Sequence, residues 1–416
     1  MIMKRTSVVA ALGLLLVSPS WAQDMDDEEA ESTISGSRVA DPVMRDVAEV
    51  SAEVALPPAT SQPYSDRAYE GARVLQMDVA FVDDCIQATD MLFRRDYSGA
   101  KKAFEEAGVR WPNSGLGPVG HVLVYQAMML ENMDFKYEPQ YELAAKRARQ
   151  QLQEAMEIPG NEAWEAFIYG GVLGVDAIHN MRRGNYLSSL NRGLEAMKSV
   201  NRAKKLAPEF KDPVLGDGLY NYWRTVISRS VKGLPDFADN RKLGIEQMQM
   251  VEKEGIFLAP AATFALTYTW LEEGALKRSL SAALRNQKRY PNNIVNNLLV
   301  GRLHMYRRQY ADSERNFKKV LRAASDNQSV HYYMTRLYLR TKQLSLAERH
   351  IDTYMDFELN DAYKSRALYA KGLIYYRRKD YDTAEQYISQ AWRVGKLQRA
   401  KRRLEKIQRL RDRQGG

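Results

Sequence analysis

Apolar side chains recur along the chain at three- and four-residue spacing, in segments separated by short polar or Gly- and Pro-bearing breaks, which predicts a succession of amphipathic helices. The clearest unit is SRALYAKGLIYYRRKDYDTAEQYISQAWRVG, where Leu368, Gly372, Tyr375, Tyr381, Ala384, Ile388 and Ala391 stand at relative offsets 0, 4, 7, 13, 16, 20 and 23. The register recurs upstream, with Thr335, Gly301 and Thr267 in the place of Gly372 at successive spacings of 37, 34 and 34 residues. The turn position reads Tyr381, Leu344, Tyr310 and Leu276, and the next small position Ala384, Ala347, Ser313 and Ser279. A further copy holds Ala88, Met91, Tyr97, Ala100, Phe104, Ala107 and Pro112 at the same offsets. Small residues at two fixed places and large ones between them suit two antiparallel helices that cross closely, neither of which can bury its apolar face alone.

This pattern resembles the tetratricopeptide repeat. The resemblance implies an all-α fold, a right-handed α-α superhelix of about eight helix pairs over 67–392. One repeat unit falls at 67–112 and four at 257–392, the unit at 264–291 ending in Tyr290-Pro291, where this family commonly places proline. Between 113 and 256 the match weakens and the helices lengthen. Pairs are expected there at 117–132/139–157, 161–181/186–206 and 213–231/240–254, punctuated by Pro139, Pro159, Pro208, Pro213 and Pro235. The aromatics Trp164, Tyr169, Tyr220, Tyr222, Trp223 and Trp270 would line any pocket in this region, with core packing as the plainer role.

Composition adds compartment and charge. Apolar residues make up 45% and charged residues 27% of 416, which is the balance of a folded chain. Residues 1–22 read as a secretory signal: Lys4 and Arg5, then an apolar run too short to span a bilayer, then Ser20-Trp21-Ala22 with cleavage expected after Ala22. The expected location is the periplasm, peripheral to the envelope. Cys85 is the single cysteine, so no internal disulfide or cysteine zinc site can form. The net charge of +9 is segregated. Residues 23–66 carry eleven acids against Arg38 and Arg45 and read as an acidic disordered segment. Residues 393–416 carry ten Lys and Arg against Glu405 and Asp412. They place Leu397, Leu404, Ile407 and Leu410 on one helical stripe, as a basic capping helix would.

Catalytic patterns fail on context. Gly115, Gly117 and Gly120 match a dinucleotide-loop spacing, but no strand precedes them and Pro118 interrupts the loop. Ser98 and Lys101 match an acyl-enzyme spacing, but at a repeat turn, where a Ser caps the helix. No nucleophile elbow, zincin helix or phosphate loop occurs. The expectation is a protein that is not an enzyme, with no cofactor and no metal.

The resemblance also places the first helix of each pair on the concave face. Its fixed offsets select Arg302, Met305 and Tyr306, then Tyr332, Arg336 and Arg340, then Arg366, Tyr369, Tyr376 and Arg377. Arg supplies forked donors for carboxylates and Tyr a large contact area at small entropic cost. The expected function is therefore a periplasmic scaffold that holds an extended acidic peptide or partner helix of an envelope protein in this groove. Residues 23–66 are a candidate internal ligand for it. The paired-Asn clamp of some family members is not supported, since Asn296 and Asn297 lie on a single helix. The alternative partner is an anionic surface, lipid or cell-wall polymer, met by 393–416. Nucleic acid is disfavoured by export.

Overall fold

The computed structural model describes residues 64–183, 185–230 and 238–414, and all regular structure in them is helical. The chain enters with α1 (Asp66–Leu75). Eight pairs follow: α2 (Val79–Phe93) with α3 (Tyr97–Arg110), α4 (Leu116–Asn132) with α5 (Glu138–Ala155), α6 (Glu162–Arg182) with α7 (Tyr186–Leu206), and α8 (Val214–Ser230) with α9 (Arg241–Glu254). Then come α10 (Ala259–Glu272) with α11 (Leu276–Arg289), α12 (Ile294–Tyr306) with α13 (Tyr310–Ala323), α14 (Gln328–Arg340) with α15 (Leu344–Met355), and α16 (Asp361–Arg377) with α17 (Tyr381–Gly395). α18 (Gln398–Gln414) closes the row. Each helix packs mainly on its neighbours in sequence, the mark of a solenoid. The expected signal sequence (1–22) and nearly all of the expected acidic segment lie outside the described residues; α1 begins at the last residue of that segment.

Local chemistry explains the starts and the crossings. Asn293, Asn327 and Asn360 cap α12, α14 and α16, each side chain accepting the N–H three residues on at 2.9, 3.1 and 3.0 Å. Asp96, rather than the expected Ser98, caps α3, accepting from Gly99 N–H at 2.9 Å. The Asp side chain reaches its N3 amide, whereas Ser98 already lies inside the helix. The crossings need glycine because the partner helix occupies the space a side chain would take. A Cβ on Gly120 would fall 2.2 Å from Phe104, one on Gly301 2.4 Å from Phe317, and one on Gly372 2.5 Å from Ile388. Gly115, the other end of the loop-like glycine run, takes φ 70° at the start of α4.

First and second helices differ sharply in burial. Ten of the 13 residues of α12 are buried and 11 of the 13 of α14, against three of 14 in α13 and three of 12 in α15. The first helices are therefore inside and the second helices outside. The coil is also tight enough to touch itself. Asn327 Nδ2 donates to Glu131 O at 2.8 Å, and Gln328 Nε2 to Asn132 O at 2.6 Å. Asn293 Nδ2 donates to Phe93 O at 3.0 Å, and Phe93 stacks on Tyr290 at 5.4 Å. Thus the C-terminal ends of α2 and α4 meet the N-terminal ends of α12 and α14, five pairs further on. With neighbouring helices about 10 Å apart, a turn of five pairs leaves little more than side-chain space along the axis. That geometry accounts for the nearly complete burial of α12 and α14.

One buried acid fixes the middle of the coil. Asp212 is wholly buried and accepts the N–H groups of Ile256, Phe257 and Leu258 at 2.8, 2.7 and 2.6 Å, pinning the α9–α10 connection to the α7–α8 connection.

Candidate functional site

The Arg and Tyr residues selected from the sequence do lie on α12, α14 and α16, but in two different settings. Arg302, Tyr332, Arg336 and Tyr369 are 4%, 9%, 7% and 4% exposed. They pack against rings: Arg302 lies over Tyr333 at 4.9 Å and Arg336 over Tyr332 at 6.0 Å, while Tyr332 meets Tyr354 at 5.5 Å. A guanidinium over an aromatic face recovers part of its desolvation cost, which helps such cations fit a crowded axis.

Tyr306, Arg340, Tyr376 and Arg377 are half-buried, at the C-terminal ends of their helices. Arg340 Nη1 reaches Met305 Sδ at 3.3 Å, and Arg377 Nη1 donates to Leu339 O. Each therefore reaches back to the end of the preceding first helix, so the three helix ends form one continuous edge. Arg366 stands at the other end of α16, over Tyr363 at 5.7 Å. There it lines a narrow crevice with Met133, Gln328, Tyr332, Tyr354 and Tyr363, at the junction of the two coils. Burial raises the hydroxyl pKa of Tyr354 and of Tyr363, so both stay protonated donors.

The sequence did not signal that α18 would share this face. Arg399 lies over Tyr369 at 4.9 Å and Arg403 over Tyr376 at 4.7 Å, while Ala400 and Ile407 are buried in the last core cluster. The basic tail is thus partly inserted. On α18, Lys401, Arg402, Lys406 and Arg409 are exposed.

The other singled-out residues have structural partners. Trp164, Tyr169, Tyr222 and Trp223 are buried in the core; Tyr220 and Trp270 are half-buried beneath Arg224 and Arg278 at 4.8 and 5.1 Å. Asn296 Nδ2 donates to Ala283 O and Asn297 Nδ2 to Pro291 O, both at 2.9 Å, so the first ties α12 to the middle of α11 and the second fixes the turn between them. Cys85 is buried and its thiol pKa is raised well above the usual value by that burial, which leaves it a poor nucleophile.

One group could offer metal ligands: Glu138, Glu142 and His179 bring ligand atoms within 4.8 Å of one another. Glu138 is already held by Arg183 at 2.9 Å and by His179 Nε2 at 2.9 Å, and His179 packs on Tyr141 at 4.4 Å. The neighbouring Asp176 accepts from Tyr141 at 2.7 Å and from Arg149. The cluster reads as an electrostatic joint between α5 and α6, in which His179 Nδ1 stays buried without a hydrogen-bond partner among the described residues. No described helix is long and apolar enough to cross a membrane.

No family model matches the sequence, and no curated protein matches it. Among solved structures, a human IFIT1 dimer with PPP-AAAA is similar, with TM-score 0.49 and 12% identity over 84% of this chain and 87% of that one. The APC/C hetero-tetramer Cut9–Hcn1 is similar with TM-score 0.40 and 12% identity, over 80% of this chain and 78% of that one. The P58(IPK) TPR domain is similar with TM-score 0.27 and 13% identity, over 80% of this chain and 99% of that one. By its own serial helix pairs, close crossings and inside–outside order, the chain is an all-α, tetratricopeptide-like solenoid.

Proposed function

We propose that the chain is a non-catalytic protein-interaction scaffold that holds an extended acidic segment of a partner protein. The observation that supports this is the division of the Arg/Tyr stripe. Its buried members brace the axis, while Tyr306, Arg340, Tyr376 and Arg377 stand on a half-exposed edge built from three consecutive first helices. A row of forked donors and rings at helix spacing suits a carboxylate-bearing strand better than a compact ligand. In this proposal the partner is an envelope protein and the chain is exported to the periplasm. Residues 23–66 are an internal competitor, because they carry the opposite charge on the same chain.

The test is retention of envelope proteins on the immobilised chain at low and high salt, beside the double variant Arg340→Glu/Arg377→Glu. Specific proteins lost in the variant support the scaffold. Identical material on both sinks the edge as the contact. A second reading rests on the outward cations of α18, Lys401, Arg402, Lys406 and Arg409, as a contact for an anionic envelope surface. Vesicles with anionic lipid would then bind the wild type and not the variant with all four changed to Gln.

A further inference from the structure

The turns that end α10, α12, α14 and α16 share one geometry. In each, the N–H two residues past the helix-capping residue closes back onto a carbonyl five residues earlier: Ala275 to Trp270 O at 2.8 Å, Gln309 to His304 O at 2.9 Å, Gln343 to Tyr338 O at 2.9 Å and Asp380 to Tyr375 O at 3.1 Å. The residue before that N–H must take the left-handed conformation. After α10 it is Gly274, at φ 69°. In the last three turns it is Arg308, Lys342 and Lys379, at φ 59°, 59° and 66°. Glycine accepts this backbone without steric cost, and a long β-carbon-bearing side chain does not. The turn after α2 has the same strain at Arg95, φ 71°, and there the side chain has an evident use: it holds Glu131 of the next pair at 2.8 Å.

Arg308, Lys342 and Lys379 have no such use among the described residues. All three are exposed, and none has a carboxylate partner among the described residues. The nearby acids are occupied: Asp380 caps Thr383 N–H at 3.1 Å, Glu348 holds Arg378 at 2.7 Å, and Glu314 holds Lys318 at 2.7 Å. These turns are also on the uncovered side of the coil. The equivalent ends of α2 and α4 are met by α12 and α14, but no described residue of another coil bonds to the turns after α12, α14 and α16.

We propose that Arg308, Lys342 and Lys379 are retained against backbone strain as a reading edge for an extended, carboxylate-bearing polypeptide. This rests on the acidic-partner reading above and extends it from Arg340 and Arg377 to the turns beyond them. Adjacent first helices lie about 10 Å apart, close to one turn of a polyproline-II-type extended chain (three residues at about 3.1 Å each), so in that conformation an acid at every third position faces the edge.

The test uses the full chain, a labelled oligo-glutamate peptide and fluorescence anisotropy. The triple variant Arg308→Gly/Lys342→Gly/Lys379→Gly is expected to lose roughly tenfold in affinity, as three rim ion pairs would. Its melting temperature should hold or rise, because glycine relieves the left-handed positions. The control removes equal charge from the outer face of α11, Lys277→Gln/Arg278→Gln/Lys288→Gln. Equal weakening by both triples means generic attraction and overturns the proposal, as does no weakening by the glycine triple. A lowered melting temperature in the glycine triple assigns the side chains a structural role and overturns it too. If the wild type does not bind the peptide, the acidic-partner reading fails, and this extension fails with it.

Discussion

Tyr290 donates its hydroxyl to Asp90 at 2.7 Å across 200 residues of sequence. This is the seam at which the coil touches itself, with Arg289 paired to the same carboxylate at 3.3 Å. Burial, then the hydrogen bond to Asp90, raises the Tyr290 pKa, so the donor stays protonated throughout the accessible range. Tyr290→Phe keeps the ring stacked on Phe93 and removes only the donor. It is expected to cost about 1 kcal/mol. Hydrogen exchange should quicken at the start of α12 and the end of α2 together. Exchange that quickens at one side alone would mean the seam is not a cooperative joint.

Asp212 is the second long-range joint, and its chemistry is less forgiving. Burial raises its pKa against the lowering effect of the three backbone donors. Asp212→Asn places an amide nitrogen donor against one of those N–H groups and keeps one acceptor oxygen. The expected loss is about 2 kcal/mol by chemical denaturation. A neutral outcome would show that the α9–α10 connection is held by packing of Ile256 and Phe257 instead.

His331 and His350 meet Nδ1 to Nδ1 at 3.1 Å, so one ring donates and the other accepts, and the accepting ring must be neutral. Burial, followed by the charge of His331 and Arg349, pushes His350 down to about 4, and burial lowers His331 as well. Tyr338 stacks on His350 at 5.6 Å and Phe357 lies 6.2 Å from His331, so neither ring gains a carboxylate. The folded pKa lies below the unfolded value of about 6.5. The contribution is therefore complete above about pH 6.5 and is lost as pH falls from there toward 4. Melting temperatures between pH 7.5 and 4.5 should fall more steeply for the wild type than for His350→Gln. Parallel curves would remove the pair from the acid response.

The helix pairs were legible because each depends on local spacing: a Gly or Ala where two helices cross, a large residue between, a Pro or Asn at a start. Gly301 against Phe317 and Gly372 against Ile388 are that rule made physical. The touching of the coils was not legible, since Asn293, Asn327 and Tyr290 sit in ordinary turns and their partners lie near residue 90 or 130. A weaker signal was present. In IVNNLLVGRLHMY the apolar positions go all the way round α12, as they do in a helix buried on every side, whereas the outer α13 keeps a narrow apolar stripe. Read that way, the sequence places Arg302 and Arg336 in an interior, and leaves Arg340 and Arg377 at helix ends as the accessible members. Fixed repeat offsets alone cannot separate the two sets, because they say which face a residue lies on and not how much room that face has.

The tail supplies the last prediction. Removing residues 393–416 to test surface binding would also withdraw Ala400 and Ile407 from the final core cluster and Arg399 and Arg403 from the rings of Tyr369 and Tyr376. Ile407→Ala alone should cost about 2–4 kcal/mol, confined to α16–α18 because a solenoid transmits stability only between neighbours. The outward set Lys401→Gln/Arg402→Gln/Lys406→Gln/Arg409→Gln should shift stability by no more than about 1 kcal/mol. Native-state hydrogen exchange on the two variants separates the cap from the charges. If the four-charge variant frays α18 as much as Ile407→Ala does, the outward cations are part of the cap, and loss of vesicle binding in that variant could no longer be credited to charge.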